Sequence, residues 1–476
     1  MRKRYWPVLA LVTISLFTVA YANGLRQNPQ AAEAGVPAEL NMLMTQAVAA
    51  ANARDPRAFA PLTEGDAARR FAWTRSQTSH WQGGILTAPT PSASPTYLAV
   101  FHAWHTCESD GDHVHTLAQT PQGWRLGPEI PETETGGLRL RDHKAQVTLN
   151  VRQQQAAITD YVRMELTGAD APPFALLRLS PDFRVTTLNL GRPDGPAVPF
   201  RQVGGVIAYT PPAEKSFTLF MQYAGVVHHQ ESDYITTNEA TLNSYWLPHT
   251  ARLPATATIT VTTPPGWDAV APGELVREQR NADGALIVTY RNDLPISFYT
   301  LDVGRYTVTK RTFKGRTLAT YFLQPDAAFA RRCLDRLERA MAFYETHFGP
   351  FPYTRYSLVQ TQGAFAGALE SYSFATFGPR TLPDYIPHEL AHTWWGGLVP
   401  CTYTRSMWNE SFATYSDDLF QRLAEQPVRA SVRTASASKT RRAARRLNPA
   451  HYTVPLTEAH DTSDERHITV GYGKGT

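Results

Sequence analysis

The chain has 476 residues, of which 42% are hydrophobic and 18% are charged. These values indicate a folded globular protein that is long enough for two or three domains. The formal net charge is +4, and it falls to +1 when the basic residues Arg2, Lys3 and Arg4 are left out. A balance so close to neutral gives no electrostatic reason to expect nucleic acid as a partner.

The N-terminus has the pattern of an export signal. Arg2, Lys3 and Arg4 precede an apolar run over residues 5–19, and Ala20-Tyr21-Ala22 then supplies small residues at signal-peptidase spacing. We therefore expect a signal peptide over residues 1–22 and a periplasmic or extracellular protein. The alternative is an uncleaved membrane anchor, although the run is short for a full span.

Residues 23–137 are expected to form a small α+β unit. Apolar residues at helical spacing predict a helix over residues 38–70, and residues 87–95 are expected to form a loop. Residues 97–107 and 113–119 read as two strands joined by a turn at Ser109-Asp110-Gly111-Asp112.

This hairpin is rich in potential metal ligands, namely His102, His105, Cys107, His113 and His115. If Asp110-Gly111 is a two-residue turn, Cys107 lies opposite Val114, and His105 projects to the other face from His113. We therefore predict no second metal site here.

The cysteine count argues against a disulfide scaffold. Cys107, Cys333 and Cys401 are the three cysteines, an odd number that leaves at least one thiol unpaired within the chain. Cys333 falls on the apolar stripe of a predicted helix, so we expect it to be a buried free thiol.

Residues 138–310 are expected to form an all-β domain, either a sandwich or a curved saddle, because short alternating segments are separated by turn residues. The period changes in residues 311–476. A helix is predicted from Asp326 to Gly349, and a strand over residues 356–360. Asp384 is expected to cap the next helix, with Pro387 in its first turn.

That next helix carries His388-Glu389-Leu390-Ala391-His392. Positions i and i+4 share a helix face, so both imidazoles can bind one ion, and Glu389 is placed to act as a general base. Glu410 follows His392 after seventeen intervening residues, a spacing at which a second helix can deliver a third ligand. We predict one Zn²⁺ held by His388, His392 and Glu410.

The chain resembles the aminopeptidase-N-like family of zinc metallopeptidases, the gluzincins, in three motifs. The first is the zinc motif together with Trp408-Asn409-Glu410. The second is Gly367-Ala368-Leu369-Glu370-Ser371, where the family has Gly-x-Met-Glu-Asn. The third is Tyr472-Gly473-Lys474-Gly475, which matches Tyr-x-Lys-Gly. The resemblance extends from about residue 138 to the end of the chain.

The resemblance implies a thermolysin-like catalytic domain over residues 311–476 and an α+β multidomain fold. It implies zinc-dependent hydrolysis of peptides, most simply removal of their N-terminal residues. Glu370 would bind the free α-ammonium, and Gly367 and Ala368 would let the backbone run beside the peptide. Tyr472 would donate a hydrogen bond to the oxyanion.

The chain departs from the family pattern in three ways. The spacing between His392 and Glu410 is one residue shorter than usual, Ser371 replaces an asparagine, and the chain stops four residues beyond Tyr472. Because serine lacks the amide of asparagine, the case for recognition of a free N-terminus is weakened. Because the chain stops so soon after Tyr472, we expect a fragment of a longer protein, with an incomplete catalytic domain. Two alternatives stay open: a zinc endopeptidase or other amidase that uses the same site, and a non-catalytic exported binding protein.

Overall fold

The structure is a computed structural model. It describes the following residues: 36–65, 80–90, 95–104, 112–131, 136–227, 233–243, 245–324, 326–362, 367–379, 381–402 and 406–425. The predicted signal peptide and Tyr472 lie outside them. Among the helices within these ranges, none has the length and apolar character needed to span a bilayer.

The N-terminal unit is a four-stranded antiparallel sheet covered by a helix. Helix α1 (Ala38–Ala53) packs on the sheet through Leu40, Met44 and Ala47. The strands, in sheet order, are β1 (His80–Ala88), β2 (Thr96–Trp104), β3 (His113–Thr120) and β4 (Gly123–Ile130).

Two boundaries in this unit differ from the prediction. The helix expected over residues 38–70 ends at Ala53, because Arg54 turns left-handed at φ 53° and Asp55 caps a second helix, α2 (Pro56–Phe59). A 3₁₀ turn, Ala60–Leu62, follows. Strand β1 also extends two residues, Thr87 and Ala88, into the loop that was expected to begin at Thr87.

The predicted hairpin register is wrong. In the pairing of strands β2 and β3, Phe101 lies opposite His113. Val114 therefore lies opposite Val100 and not opposite Cys107. His105 and Cys107 lie outside the described residues. Two of the described histidines lie against carboxylates: His102 Nδ1 is 2.5 Å from Asp112, and His113 Nδ1 is 2.5 Å from Glu129. The third, His115, has its Nδ1 3.1 Å from the Gly127 carbonyl oxygen.

The central domain is built from β-strands, as predicted. Its largest sheet has seven strands in the order β16-β17-β14-β5-β6-β11-β8, and a three-stranded sheet (β7-β10-β9) and a four-stranded sheet (β12-β13-β18-β15) accompany it. The strands are β5 (Leu138–Asn150), β6 (Gln155–Leu166), β7 (Ala175–Arg178), β8 (Phe183–Leu190), β9 (Phe200–Val203), β10 (Val206–Tyr209), β11 (Ser216–Val226), β12 (Tyr234–Ile235), β13 (Glu239–Leu242), β14 (Ala255–Thr262), β15 (Asp268–Val270), β16 (Glu274–Arg280), β17 (Leu286–Ile296) and β18 (Leu301–Gly304).

The described part of the third domain contains a mixed five-stranded sheet, in the order β19-β20-β21-β23-β22, and three helices. Its strands are β19 (Thr307–Phe313), β20 (Arg316–Phe322), β21 (Arg355–Gln360), β22 (Ala368–Glu370) and β23 (Phe374–Phe377); β24 (Trp395–Gly396) and β25 (Val399–Pro400) form a separate pair. Its helices are α3 (Ala327–Phe348), α4 (Ile386–Ala391) and α5 (Trp408–Ala424). The sheet thus starts at Thr307, inside the range that the sequence assigned to the β-rich domain. The α+β class is confirmed.

The helix predicted from Asp326 is α3, and its start and buried face follow the sequence. The Asp326 carboxylate accepts a hydrogen bond from the Phe329 amide at 2.8 Å, and Gly349 follows the last turn. Cys333 is buried and its thiol is free of any disulfide bond, as expected. One continuous apolar core joins the β-rich domain to the third domain, whereas α1 and its sheet have a smaller core of their own. The site described below is therefore attached to both large domains.

Candidate active site

The short helix α4 contains His388 of the zinc motif, and His392 is the C-cap residue that follows its last turn. Pro387 lies in its first turn, as predicted, where its missing N–H costs little. The predicted cap is wrong: Tyr385 occupies the N-cap position, and Asp384 is one residue too early to bond the first amides. The Asp384 carboxylate instead lies 3.3 Å from the guanidinium of Arg336 on α3.

The ends of three side chains meet beside this helix. The Nε2 atoms of His388 and His392 are 3.2 Å apart, and Glu410 Oε2 lies 3.3 Å from the first and 3.4 Å from the second. Ligands about 2.1 Å from a tetrahedral Zn²⁺ are roughly 3.4 Å from one another. The three predicted ligands therefore fit a zinc ion without rearrangement.

The ring of His392 is oriented by a backbone group. Its Nδ1 lies 3.1 Å from the carbonyl oxygen of Trp395, which accepts the Nδ1 proton and leaves Nε2 free to bind a metal. Burial lowers the pKa of His392, but the Glu370 and Glu410 carboxylates outweigh it and raise this pKa to about 10. For Glu410, burial acts to raise the pKa, yet the two imidazoles hold it well below its usual range.

Two further carboxylates adjoin the predicted ligands. Glu389 is 3% exposed, and among the described residues its Oε2 has no hydrogen-bond partner. Burial raises the pKa of Glu389 to about 8, against the opposing effect of the two histidines. Glu370 ends strand β22, and its Oε1 lies 3.8 Å from His392 Nδ1. Both side chains predicted to have roles in catalysis and substrate binding thus lie beside the ligand set.

Sequence reasoning missed the position of Asn409. This fully buried residue directs its Nδ2 toward Glu370 Oε1 at 3.4 Å and toward Glu410 Oε1 at 3.5 Å. Its amide therefore lies between the predicted substrate-binding carboxylate and the predicted ligand. The only sequence signal was its place within Trp408-Asn409-Glu410.

The segment after Glu370 packs closely against the turn that follows the zinc motif. Tyr372 adopts a left-handed backbone at φ 63°, and its carbonyl accepts a hydrogen bond from Thr393 Oγ1 at 2.7 Å. A Cβ at position 397 would lie 2.5 Å from the Thr393 carbonyl oxygen and 3.0 Å from the Tyr372 ring. At position 396 the φ of 125° is one that side-chain-bearing residues rarely adopt, so both positions favour glycine.

The other residues predicted to contact the substrate are Gly367 and Ala368, which lie at the start of strand β22. The Gly367 carbonyl accepts a hydrogen bond from the Gly378 amide, and Ala368 pairs with Phe377 on the neighbouring strand. Gly367 and Ala368 therefore both lie at the β22 edge of the sheet. Within the described part of the chain, no strand pairs with the outer side of β22. Tyr472 lies outside the described residues, and its role stays a prediction.

Comparison with known proteins gives a family for the last third of the chain. Residues 332–476 match the Peptidase family M1 domain. Tricorn protease-interacting factor F2 of Thermoplasma volcanium is 29% identical over 147 residues, which cover 27% of this chain and 18% of that protein. Probable aminopeptidase 1 of Saccharolobus solfataricus is 26% identical over 157 residues, or 29% and 20% of the two chains.

These matches confirm the resemblance to the aminopeptidase-N-like zinc metallopeptidases. The chain spans about a fifth of the length of these curated relatives. Among solved structures, the M1 zinc metallopeptidase from Deinococcus radiodurans aligns with a TM-score of 0.56 and 18% identity. The alignment covers 71% of this chain and 81% of the other, and it shows a common fold.

Proposed function

Starting from an M1 peptidase domain in residues 332–476, we propose that this protein is a zinc aminopeptidase that removes N-terminal residues from peptides. The observation that carries the proposal is the meeting of His388, His392 and Glu410 within 3.4 Å of one another, with Glu389 and Glu370 at their side.

The charge of the site supports both a metal and a free amine. Glu370, Glu389 and Glu410 are at least nine-tenths buried and lie around two imidazoles. Three ionised carboxylates so close together are stable only with compensating positive charge. A Zn²⁺ ion supplies two positive charges and the α-ammonium of a peptide supplies the third. An N-acetylated peptide lacks that third charge and leaves one carboxylate uncompensated.

The chemical roles follow from position. When bound, zinc polarises a carbonyl group and makes water more acidic. Glu389 accepts the proton of the attacking water on its free Oε2 and gives it to the leaving amine. Its pKa, raised by burial, is close enough to neutral for both steps. Glu370 and the Asn409 amide beside it hold the α-ammonium, which fixes the distance from the N-terminus to the cleaved bond.

The peptide backbone is placed by strand β22. Its outer side offers backbone N–H and C=O groups on which an extended peptide can add as a further strand. Glu370 is the last residue of this strand. A peptide that pairs with β22 and has its N-terminus at this end would therefore place its amine at the Glu370 carboxylate. Tyr472 completes the proposed site as the donor to the oxyanion, a role supported by the family match, which runs to residue 476.

The test compares three proteins on the same peptide with a free and with an acetylated N-terminus. We expect the wild type to cleave only the free form, Glu370→Gln to lose most of that preference, and Glu389→Gln to keep zinc without turnover. Equal cleavage of both peptides by the wild type would instead favour the endopeptidase or amidase alternative.

We also propose that the protein is exported, on the strength of the residue pattern over positions 1–22. Cell fractionation followed by N-terminal sequencing tests this proposal. A mature N-terminus near residue 23 in the exported fraction supports it, an intact N-terminus in the membrane fraction supports the anchor, and protein confined to the cytoplasm contradicts both.

A further inference from the structure

We propose that Thr300 of the β-rich domain is a positioning residue for Glu370, so that this domain takes part in recognition of the substrate amine. The inference rests on the proposed function of Glu370. It starts from a hydrogen bond between the Thr300 and Ser371 hydroxyls, both of which are at least 99% buried.

Strand β22, which contains Glu370, makes few contacts with the rest of its sheet. The strand has three residues, lies at the edge of the sheet and pairs only with β23 among the described strands, where Glu370 faces Ala375. A short edge strand is weakly held by its ladder alone. Other contacts must therefore keep the Glu370 carboxylate at a fixed distance from the zinc ligands.

The β-rich domain supplies such contacts at three successive points after Glu370. Thr300 bonds Ser371, the Gly273 amide donates to Ser373 Oγ at 2.8 Å, and Asp302 accepts the Thr376 hydroxyl. On the opposite side, the Thr393 hydroxyl bonds the Tyr372 carbonyl and connects the same turn to the end of the zinc helix. The turn that follows Glu370 is thus held between the two domains.

Of these contacts, the one made by Thr300 is next to Glu370 in sequence. Binding sites require placement within about 0.5 Å, and a buried hydroxyl pair gives a directional constraint that apolar packing lacks. This hydrogen bond also accounts for the serine at position 371, because the Ser371 hydroxyl contacts the neighbouring domain and not the substrate. Loss of the Thr300 hydroxyl should therefore loosen Glu370 while the zinc ligands, which lie on α4 and α5, keep their places.

The experiment uses the full chain with zinc and the background variant Glu389→Gln, so that binding is measured without turnover. The ligands are one tripeptide with a free N-terminus and its N-acetylated form, and the measurement is calorimetric affinity. Thr300→Val removes the hydroxyl at constant shape, and Thr300→Ser keeps it. Thr263→Val is the matched control, because Thr263 is a buried threonine of the same domain that bonds Pro264 and Trp267.

We expect Thr300→Val to weaken binding of the free tripeptide about five- to tenfold, the effect of one hydrogen bond, with zinc content and binding of the acetylated form unchanged. Thr300→Ser should restore the affinity. Thr263→Val should lower the melting temperature and leave the affinity ratio of the two peptides as it was.

Three results overturn the inference: an unchanged affinity ratio in Thr300→Val, an equal change in Thr263→Val, or no preference for the free amine in the background protein. Failure of the proposed function looks different. In that case the preference and its dependence on Thr300 are present, but the chain with Glu389 intact cleaves no peptide.

Discussion

Arg336, on α3, forms ion pairs next to the ends of α4 and α5, the two helices that bear the predicted zinc ligands. Its substitution tests how much these ion pairs stabilise the packing of the three helices. The guanidinium lies 3.2 Å from Glu425, just beyond α5, and 3.3 Å from Asp384, just before α4. The Arg336 and Glu425 side chains are 8% and 12% exposed, whereas Asp384 is 75% exposed. The substitution Arg336→Met keeps an unbranched side chain that can fill part of the same space, and it removes the charge.

The magnitude follows from which carboxylate loses its partner. Leaving one member of a buried ion pair alone costs about 3–5 kcal/mol, whereas the exposed contact to Asp384 contributes less than about 1 kcal/mol. Arg339, whose guanidinium lies 3.6 Å from Glu425, compensates part of the loss. We therefore expect Arg336→Met to lower the free energy of unfolding of this domain by about 2–4 kcal/mol.

The assay is urea unfolding of the zinc-loaded protein, followed by tryptophan fluorescence, with zinc loss to a chelator measured in parallel. Arg339→Met, at a side chain 59% exposed, is the control and should cost under about 1 kcal/mol. The double variant Arg336→Met with Glu425→Met should recover most of the loss, because no charge is left buried. A double variant no more stable than Arg336→Met, or a single-variant loss under about 1 kcal/mol, would refute the reasoning.

Three other predictions concern the site and its surroundings. Glu389→Gln should lower peptide cleavage by about 10²–10⁴-fold, because it removes the proposed general base. Metal analysis should still find one zinc per chain, and unchanged turnover would exclude Glu389 as the base. Gly397→Ala should cost about 1–3 kcal/mol in a thermal melt, because the new Cβ meets the Thr393 carbonyl oxygen; a melting temperature equal to that of the wild type would show that this turn can relax. Burial raises the pKa of Asp302 from 3.8 to about 7, so the folded state keeps a proton that the unfolded state loses. Stability should then fall by up to about 4 kcal/mol as the pH rises from 4 to 7, and Asp302→Asn should reduce this fall; an identical pH profile for the variant would contradict it.

The grouping of the three predicted zinc ligands could be anticipated from the sequence because their geometry is local. A spacing of four residues places His388 and His392 on one helix face whatever the rest of the fold does. The position of Glu410 needed only a second helix, and that helix, α5, begins two residues before it. The β-rich domain was equally accessible, because alternation along strands such as β14 reports which face is buried.

The errors in the prediction arose where boundaries or registers depend on contacts distant in sequence. The predicted hairpin register assumed the shortest turn that Asp110-Gly111 allows, which would place Cys107 opposite Val114, whereas Val114 lies opposite Val100. Asp384 was a reasonable cap by residue type, but its carboxylate pairs with Arg336, 48 positions away in the sequence. Sequence patterns identify residues that suit a role and do not reveal which partner competes for them.

The contacts that position Glu370 belong to the same class. Ser371 and Thr300 are 71 positions apart, and only the packing of two domains brings their hydroxyls together. From the sequence alone, serine in place of asparagine weakened the case for amine recognition because an amide was lost. The structure changes that argument: the amide beside Glu370 comes from Asn409, and the residue at 371 is occupied by the neighbouring domain. If the proposed function holds, selectivity for a free N-terminus would depend on Glu370, Asn409 and the domain interface that positions them, and it would not require an amide at position 371.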